Sequence, residues 1–483
     1  MVQAAVARSR APVEAIRPDL AQDLARFAAT INPALLPEGV SRAVRSNLLD
    51  TLGCALAGSS AKAIPEVAGL VREWAGAPQA DMWVFGGRFP AHHAAWVNGS
   101  MAHARDYDDT HDAAVLHAGV SAVPAALAAA QLRGGISGAE LVAAVAAGLE
   151  LTCRLGVATQ IGVIESGFIY TSLLGYFGAT AAAGRALGLH PEQMLSALGI
   201  VYSSVAGNHQ VTRDASLMKR VQPGLAAQAA VVAAQLAQRG IKGPHNVFEG
   251  LDGFFRVYLN GRFDRDTVRR GLGEEFELLN LSYKPYPCCR YNHTAIDATL
   301  QARAEAMRPA EEVESIRVGV TKQCYEAVCT PEAVRWSPRT IVEAQFSIPY
   351  TVASAWIDGE VGLRHLTDEG LERSDVLALT KRVHPYVDAE IERRWGRNIS
   401  PAELTVRFRD GSVVTARVDY PRGHPRNPMT PADFAAKVRD CAAFAAVPIS
   451  AGQVEALIGA VDGIGSAPDL AALHASLTEG PAS

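Results

Sequence analysis

Apolar residues recur at intervals of three and four along the first 275 residues, which is the spacing of amphipathic helices. Pro37 and Ser41 supply helix-start signals within this region. Small residues dominate two of the runs, 181–184 and 226–230, and small side chains let helices approach each other closely. We therefore predict a compact all-helical region, with helices at 19–31, 38–57, 63–75, 92–102, 121–133, 138–158, 171–187, 191–206 and 224–239.

The pattern changes near residue 276, where apolar and polar residues begin to alternate. Residues 313–320 alternate as half-buried strands do. Two further alternating runs, 404–408 and 412–418, flank an Asp-Gly pair at 410–411, which is a common hairpin turn. We predict an α+β module in this part of the chain.

Helical spacing returns at 431–442 and 453–460, so we expect the C-terminus to rejoin the first domain. The predicted fold is mainly α, with a large all-helical domain and a smaller α+β domain inserted before the C-terminal helices. The predicted limits are 1–275 for the first part of the helical domain, 276–425 for the α+β domain and 426–483 for the C-terminal helices.

The composition of the chain limits the kinds of partner and the cellular compartment that we expect. The chain has 483 residues, 49% of them hydrophobic, which is enough for a large core. Its formal net charge of −5 argues against nucleic acid and against an anionic membrane surface as partners. The seven cysteines form no Cys-x2-Cys pair, which favours a reducing compartment over a disulfide scaffold. We expect a cytoplasmic protein without a secretory signal or a membrane span.

Ionisable residues crowd between two apolar, helix-forming segments. The cluster consists of His103, Asp106, Asp108, Asp109, Thr110, His111, Asp112 and His117. Because the flanks are typical of buried helices, these polar groups must be satisfied or functional. On one helix, His103, Asp106 and Thr110 would share a face and converge on a pocket. The alternatives are a capped helix end, whose carboxylates bond backbone amides, and a metal site built from His and Asp.

Further motifs follow along the chain: Met218-Lys-Arg with Pro223-Gly, 284–290 with His293, 344–350 and 421–428. Together with Asn98-Gly-x3-His-x2-Asp-Tyr-Asp-Asp-Thr-His111 and His117-x-Gly, these motifs resemble those of the MmgE/PrpD family. That family includes 2-methylcitrate dehydratase, cis-aconitate decarboxylase and iminodisuccinate epimerase. The motifs follow the family's order and span nearly the whole chain.

The resemblance implies a homodimeric enzyme without metal or other cofactor, whose site lies between the helical domain and the smaller α+β domain, which forms a lid. It implies His117 as the proton-transfer residue, together with Asp106, Thr110 and Lys219 as catalytic residues. The implied substrate-binding residues are Lys284, Arg290, His103, Tyr170 and His293. Cys288 and Cys289 are interpreted as packed thiols.

All reactions of the family start at a carbon next to a carboxylate, whose weakly acidic proton needs a positioned base and nearby cations. We expect a hydro-lyase similar to 2-methylcitrate dehydratase, acting on a small di- or tricarboxylate. The second hypothesis is an epimerase or isomerase of a dicarboxylate, and the third is a non-catalytic carboxylate-binding protein. Ile169 and Gln222 stand where family members often have histidine, which argues against decarboxylation of an aconitate-like acid. Tyr170 could supply a hydroxyl group in place of the missing imidazole.

Overall fold

The first part of the chain folds into helices, as its apolar spacing predicts. The computed structural model describes residues 17–396 and 401–478. The helices of the first part are α1 (Leu20–Thr30), α2 (Glu38–Gly58), α3 (Ile64–Trp74), α4 (Ala91–His103), α5 (Gly119–Arg133), α6 (Gly138–Ala158), α7 (Val163–Ser166), α8 (Tyr170–Leu187), α9 (Pro191–Tyr202), α10 (Gln210–Arg213), α11 (Met218–Gln238), α12 (Phe254–Leu259) and α13 (Arg265–Arg269). Helix α11 starts at Met218 rather than at the predicted residue 224, which places Lys219 in its first turn.

Glycines allow the closest helix crossings. A Cβ atom on Gly224 of α11 would lie 2.3 Å from the Trp96 carbonyl oxygen of α4. A Cβ atom on Gly178 of α8 would lie 2.6 Å from the Gly148 carbonyl oxygen of α6. Both distances are too short for any residue with a Cβ atom, so these glycines set how closely the backbones approach.

The α+β domain is built around a four-stranded sheet. Its strands are β5 (Val313–Val320), β6 (Val383–Val387), β7 (Ala402–Phe408) and β8 (Val413–Val418), in the order β6-β5-β7-β8. Strands β5 and β6 are parallel and the other pairs are antiparallel. The predicted hairpin is present as β7–β8, and Gly411 at its turn has φ of +84°, a left-handed conformation that glycine adopts without strain.

Helices cover this sheet and then lead back to the first domain. They are α14 (His293–Ala306), α15 (Lys322–Val328), α16 (Glu332–Arg335), α17 (Ile341–Gln345), α18 (Ile348–Asp358), α19 (Asp368–Leu371), α20 (Ser374–Thr380) and α21 (Ala389–Trp395), followed by the C-terminal α22 (Pro431–Ala442), α23 (Ala451–Asp462) and α24 (Ala471–Thr478). Helix α22 packs so closely on α2 that a Cβ atom on Gly53 would lie 2.9 Å from Val438 Cγ2.

Two large hydrophobic cores result from this arrangement in the described part of the chain, and a small third cluster contains Tyr107 and Leu363. One large core contains buried residues from 20–283 and 429–477, and the other contains buried residues from 286–418. The mainly α fold, with a large helical domain and a smaller α+β domain, is therefore confirmed. The residue limits of 275 and 425 stay predictions.

Among the described residues, α6 is the one helix long and apolar enough to cross a membrane by length and composition. It runs to Ala158, but 94% of its apolar stretch is buried inside the protein. Its Glu150 pairs with Arg154, and its carboxylate accepts the backbone N–H groups of Glu277 and Leu278 at 3.0 Å. Helix α6 is therefore interpreted as a core helix.

Short strand pairs complete the fold and link its two parts. Strands β1 (Ala80–Asp81) and β2 (Arg88–Phe89) pair with each other. Strand β3 (Thr110–His111) pairs antiparallel with β4 (Leu281–Ser282), which immediately precedes the α+β domain. The second pairing fixes the segment after α4 against the segment that carries Lys284.

Candidate functional site

A cavity of about 130 Å³ lies between the helical domain and the α+β domain. Since one water needs roughly 10–15 Å³, this volume suits several waters or a small acid. Eight of the nine residues predicted for the site line it: His103, Asp106, Thr110, His117, Tyr170, Lys219, Lys284 and Arg290. His293 is not among the lining residues within the described part of the chain.

The prediction that His103, Asp106 and Thr110 share one helix is wrong. Helix α4 ends at His103, Asp106 has φ of +53°, and Thr110 lies in β3 opposite Ser282. Short polar side chains favour such non-helical backbone because they bond nearby main-chain groups. The three residues therefore reach the cavity from an irregular loop.

Asp109 is the member of the cluster to which the helix-cap interpretation applies. Its Oδ2 accepts the Ala118 N–H (2.9 Å) and its Oδ1 accepts the Gly119 N–H (3.0 Å), at the start of α5. A Cβ atom on Gly119 would lie 2.6 Å from Asn47 Oδ1, so the close approach requires glycine. Asp109 thus fixes the loop that carries His117.

Asp106 is buried between two lysines. Lys284 Nζ donates to Asp106 Oδ1 (2.7 Å) and to its carbonyl oxygen (2.9 Å), and Lys219 Nζ lies 3.6 Å from Asp106 Oδ2. Burial acts to raise the pKa of Asp106, but the charges of Lys219 and Lys284 outweigh it, so the pKa lies well below its ordinary value. Asp106 is therefore an anion that orients two cations, and it is unsuited to hold a proton.

Two histidines share one carboxylate at the cavity wall. The Nδ1 atoms of His103 and His117 lie 2.9 and 3.0 Å from Asp108 Oδ2, and His117 Nδ1 is also 2.6 Å from the Asp109 carbonyl oxygen. Carboxylate and carbonyl oxygens only accept hydrogen bonds, so each Nδ1 carries a hydrogen. In the neutral rings, each Nε2 is then an unprotonated base.

The two Nε2 atoms have different surroundings. His103 Nε2 is 3.4 Å from Lys219 Nζ, from which it can accept a hydrogen bond. His117 Nε2 has no hydrogen bond to any described residue, and the His117 side chain is 16% exposed. His117 is thus the histidine whose basic nitrogen is available to a ligand in the cavity.

His103 should make the protein less stable below neutral pH. Burial, assisted by the charge of Lys219, lowers its pKa from 6.5 to about 4 despite Asp108. Between pH 6.5 and 4 the unfolded chain binds a proton at His103 that the folded chain does not, so stability falls as pH falls through this window. The full contribution is on the order of 3 kcal/mol, at about 1.4 kcal/mol per pKa unit. Urea unfolding at pH 7 and pH 4.5 should show a smaller loss in His103→Asn than in the wild type, and equal losses would contradict this assignment.

Arg290 lines the cavity but is largely committed to the protein. Its Nε and Nη2 donate to the two carboxylate oxygens of Asp112 (both 3.2 Å), and its Nη1 contacts His293 Nδ1 (3.2 Å) and the Arg422 carbonyl oxygen (3.1 Å). The implied role of Arg290 in substrate binding is therefore limited, because Asp112 occupies the two parallel donors with which a guanidinium group would bind a substrate carboxylate. Four of its five N–H groups are already used, which leaves one for a ligand.

The predicted contact of His293 with substrate is also corrected. Its Nε2 donates to the Cys288 carbonyl oxygen (3.2 Å), so Nδ1 is free to accept from Arg290. Burial and the nearby Arg290 keep the pKa of His293 well below its ordinary value, which is consistent with this neutral tautomer. His293 holds Arg290 in place.

Tyr170 and the paired cysteines line or flank the cavity with groups suited to packing. The Tyr170 hydroxyl donates to the Ile161 carbonyl oxygen (2.5 Å), so its hydrogen is not available to a ligand. Burial raises the pKa of the Cys289 thiol to about 11, and burial likewise raises the pKa of Cys288. Both thiols stay protonated near neutral pH, as the interpretation of packed thiols requires.

His209 and Phe346 also line the cavity, although neither was predicted as a site residue. Lys219 Nζ stands 5.5 Å from the centre of the Phe346 ring, a cation–π contact. A lone histidine in a polar segment gives no signal that separates a site residue from a surface turn. Phe346 could have been suspected because it lies within the 344–350 motif.

His103, Asp108 and His117 are close enough together to hold a metal ion, since their ligand atoms lie within 4.8 Å of one another. However, both Nδ1 atoms carry a hydrogen directed at Asp108, and Lys219 Nζ, 3.4 Å from His103 Nε2, would repel a cation. We therefore predict that exhaustive chelation will leave turnover unchanged. Loss of activity that one added metal restores would return these residues to the role of ligands.

Comparison with known proteins relates both parts of the chain to one family. The MmgE/PrpD N-terminal domain matches residues 22–266, and the MmgE/PrpD C-terminal domain matches residues 286–460. The chain is 26% identical over 420 residues to the cis-aconitate decarboxylase-like protein oryM of Aspergillus oryzae, covering 83% of this chain and 86% of that protein. It is 28% identical over 351 residues to the cis-aconitate decarboxylase of Aspergillus terreus, covering 68% and 70% of the two chains. It is 27% identical over 458 residues to the cis-aconitate decarboxylase of Homo sapiens, covering 92% of each.

Proposed function

The chain belongs to the MmgE/PrpD family, and we propose that it is a cofactor-independent lyase that acts on a small di- or tricarboxylate. The reaction that we propose is dehydration, started by proton transfer next to a carboxylate. The observation that carries the proposal is the orientation of His117, whose Nδ1 is held by Asp108 and the Asp109 carbonyl oxygen. This orientation leaves Nε2 without a hydrogen bond to any described residue, at a cavity that Lys219 and Lys284 also line.

The charge of the cavity supports an anionic substrate. Three cationic side chains line it, those of Lys219, Lys284 and Arg290, against the single carboxylate of Asp106 among the described lining residues. The contacts of Lys219 with His103 and Asp106 are long, at 3.4 and 3.6 Å, so its ammonium is free to bind a ligand. Lys284 uses two of its three N–H groups on Asp106 and keeps one.

In the proposed reaction, His117 Nε2 removes a proton from the carbon next to a substrate carboxylate. The electrons of the C–H bond move into that carboxylate to form an enediolate, which the third N–H of Lys284 stabilises. The carbon–oxygen bond on the neighbouring carbon then breaks, the hydroxyl group takes a proton from Lys219, and a C=C bond and water result. Proton exchange with solvent restores the ammonium of Lys219 and the neutral ring of His117.

Decarboxylation of an aconitate-like acid is the second candidate, because the relatives above are named as cis-aconitate decarboxylases or a decarboxylase-like protein. Two positions weigh against decarboxylation. At the first, where members of the family often carry histidine, Ile169 lines the cavity with an apolar side chain. Gln222, at the other such position, donates to the Asn208 carbonyl oxygen (3.3 Å). Epimerisation or isomerisation of a dicarboxylate, which was the second hypothesis from the sequence, is the third candidate, and the same experiment tests it.

The experiment is to incubate the protein in heavy water with citrate-like, aconitate-like and aspartate-derived acids and to follow them by NMR. Dehydration predicts loss of a hydroxy acid and new vinylic signals. Release of carbon dioxide would support decarboxylation instead, and deuterium uptake without loss of water would support epimerisation. Binding of an acid without any chemical change would support a non-catalytic carboxylate-binding protein, which is the least expected of the alternatives.

Other features of the proposal concern partners and location. We propose a cytoplasmic homodimer that has neither nucleic acid nor membrane as a partner. The formal net charge of −5 supports the proposal that neither nucleic acid nor an anionic membrane is a partner. The homodimer rests on the family resemblance and on the abundance of apolar helices.

A further inference from the structure

His209 occupies a rigid segment at the edge of the cavity. Its backbone N–H donates to the Gly167 carbonyl oxygen (2.8 Å), and the Ile169 N–H donates to the Gly207 carbonyl oxygen (3.1 Å). Gly207 has φ of +139°, and a Cβ atom there would lie 2.7 Å from Ser172 Cβ, so only glycine lets the segment approach α8 this closely. The backbone position of His209 is therefore set by the fold.

The imidazole of His209 is not used to hold the protein together. It lines the cavity, its Nδ1 is buried, and neither ring nitrogen has a hydrogen bond to a described residue. His103, His117 and His293 each have Nδ1 engaged by a protein group. Since Nδ1 is closed off from solvent, Nε2 is the ring nitrogen that a ligand in the cavity can reach.

His209 is neutral under ordinary conditions. Burial, followed by the charges of Arg213 and Lys219, lowers its pKa below the usual 6.5. The Nε2 atom of a neutral imidazole donates in one tautomer and accepts in the other, so it can pair with an alcohol group, which also does both, whereas Lys219, Lys284 and Arg290 offer the cationic partners for carboxylates. Thr212, three residues after His209, also lines the cavity with an uncharged hydroxyl group.

We propose that His209 binds the hydroxyl group of the substrate and thereby selects hydroxy acids over analogues that lack this group. The inference rests on the proposed dehydration, in which that hydroxyl group leaves beside Lys219. His209 is thus a specificity-determining residue, and proton transfer stays with His117 and Lys219. Sites built to hydrogen-bond a substrate hydroxyl discriminate strongly against the analogue without it, because their polar groups are then left unpaired.

The test is a binding measurement with two pairs of acids that differ by one hydroxyl group: citrate against tricarballylate, and malate against succinate. Isothermal titration calorimetry of the wild type should give about tenfold tighter binding of the hydroxylated member of at least one pair, as one hydrogen bond of roughly 1.4 kcal/mol predicts. His209→Leu should abolish this preference by weakening only the hydroxylated acid. His209→Gln, which keeps a donor and an acceptor, should retain part of it, and His245→Leu, at an exposed histidine, should retain all of it.

Each other result overturns the inference. Equal weakening of both members of a pair in His209→Leu would make His209 a carboxylate contact, and absence of any hydroxyl preference in the folded wild type would remove the role altogether. Because binding is measured, the outcome is independent of turnover. If the preference for the hydroxylated acid depends on His209 but the NMR experiment shows no dehydration, only the proposed lyase activity is refuted. If dehydration occurs but His209→Leu keeps the preference of the wild type, only the role of His209 is refuted.

Discussion

Replacing His117 with alanine is expected to lower turnover by about 10² or more while the fold stays intact, because a general acid or base commonly contributes roughly 10²- to 10⁴-fold. The side chain is partly exposed to the cavity, and its polar contacts with described residues are limited to Nδ1, so its loss leaves a small space and an Asp108 that still binds His103. Turnover of the wild type and the variant is to be compared on the acid that NMR identifies as substrate. Circular dichroism of both proteins reports whether the fold is retained.

Two controls make the result specific to proton transfer. His245→Ala removes an exposed histidine and should leave turnover unchanged. Added imidazole should restore part of the lost activity of His117→Ala, since a free base can enter the space where Nε2 stood. A folded His117→Ala protein with the turnover of the wild type would remove His117 from the mechanism.

Local pattern was sufficient to predict most of the fold. The apolar spacing of the helices and the Asp-Gly turn between β7 and β8 depend on neighbours in sequence, and the structure contains both. The same reasoning failed between His103 and Thr110, because it extended a helical spacing through a run of aspartates. There the side chains satisfy local main-chain groups, and the helix ends at His103.

The roles of individual charged groups depended on partners that are remote in sequence. Arg290 pairs with Asp112, 178 residues away, and Lys284 binds Asp106 at the same separation. A resemblance of motifs could therefore bring Arg290 to the cavity but could not show that Asp112, His293 and the Arg422 carbonyl oxygen already occupy most of its donors. His209 was not identified for the related reason that its distinguishing property is the lack of a partner, which only the folded chain reveals.

Lys437 in the C-terminal helix α22 is a further residue whose importance only the structure reveals. Its Nζ donates to Asp50 Oδ1 (2.6 Å), to the Tyr107 carbonyl oxygen (2.6 Å) and to the Lys284 carbonyl oxygen (2.9 Å), so all three N–H groups are used. The ammonium also stands 4.0 Å from the centre of the Tyr107 ring. It thus fixes the backbone at Tyr107, next to Asp106 and Asp108, and at Lys284.

Lys437→Met is expected to reduce the free energy of unfolding by about 3–5 kcal/mol, because removing one partner of a buried ion pair leaves the other charge uncompensated. Asp50 is fully buried, and its Oδ2 has no other partner among the described residues. Urea unfolding at pH 7 measures the change, and Lys242→Met, at an exposed lysine, is the control expected to stay within about 0.5 kcal/mol of the wild type.

The double variant Asp50→Asn, Lys437→Met separates the lost charge pair from the lost backbone contacts. It should be more stable than Lys437→Met alone, because it removes the unpaired charge. The turnover of both variants should be lower than that of the wild type, because in neither of them does an ammonium hold the Tyr107 and Lys284 carbonyl oxygens together. Full recovery of turnover in a stable double variant would mean that Lys437 serves only to neutralise Asp50. A loss below about 1 kcal/mol in the single variant would contradict the assignment of Lys437 as the essential partner of Asp50.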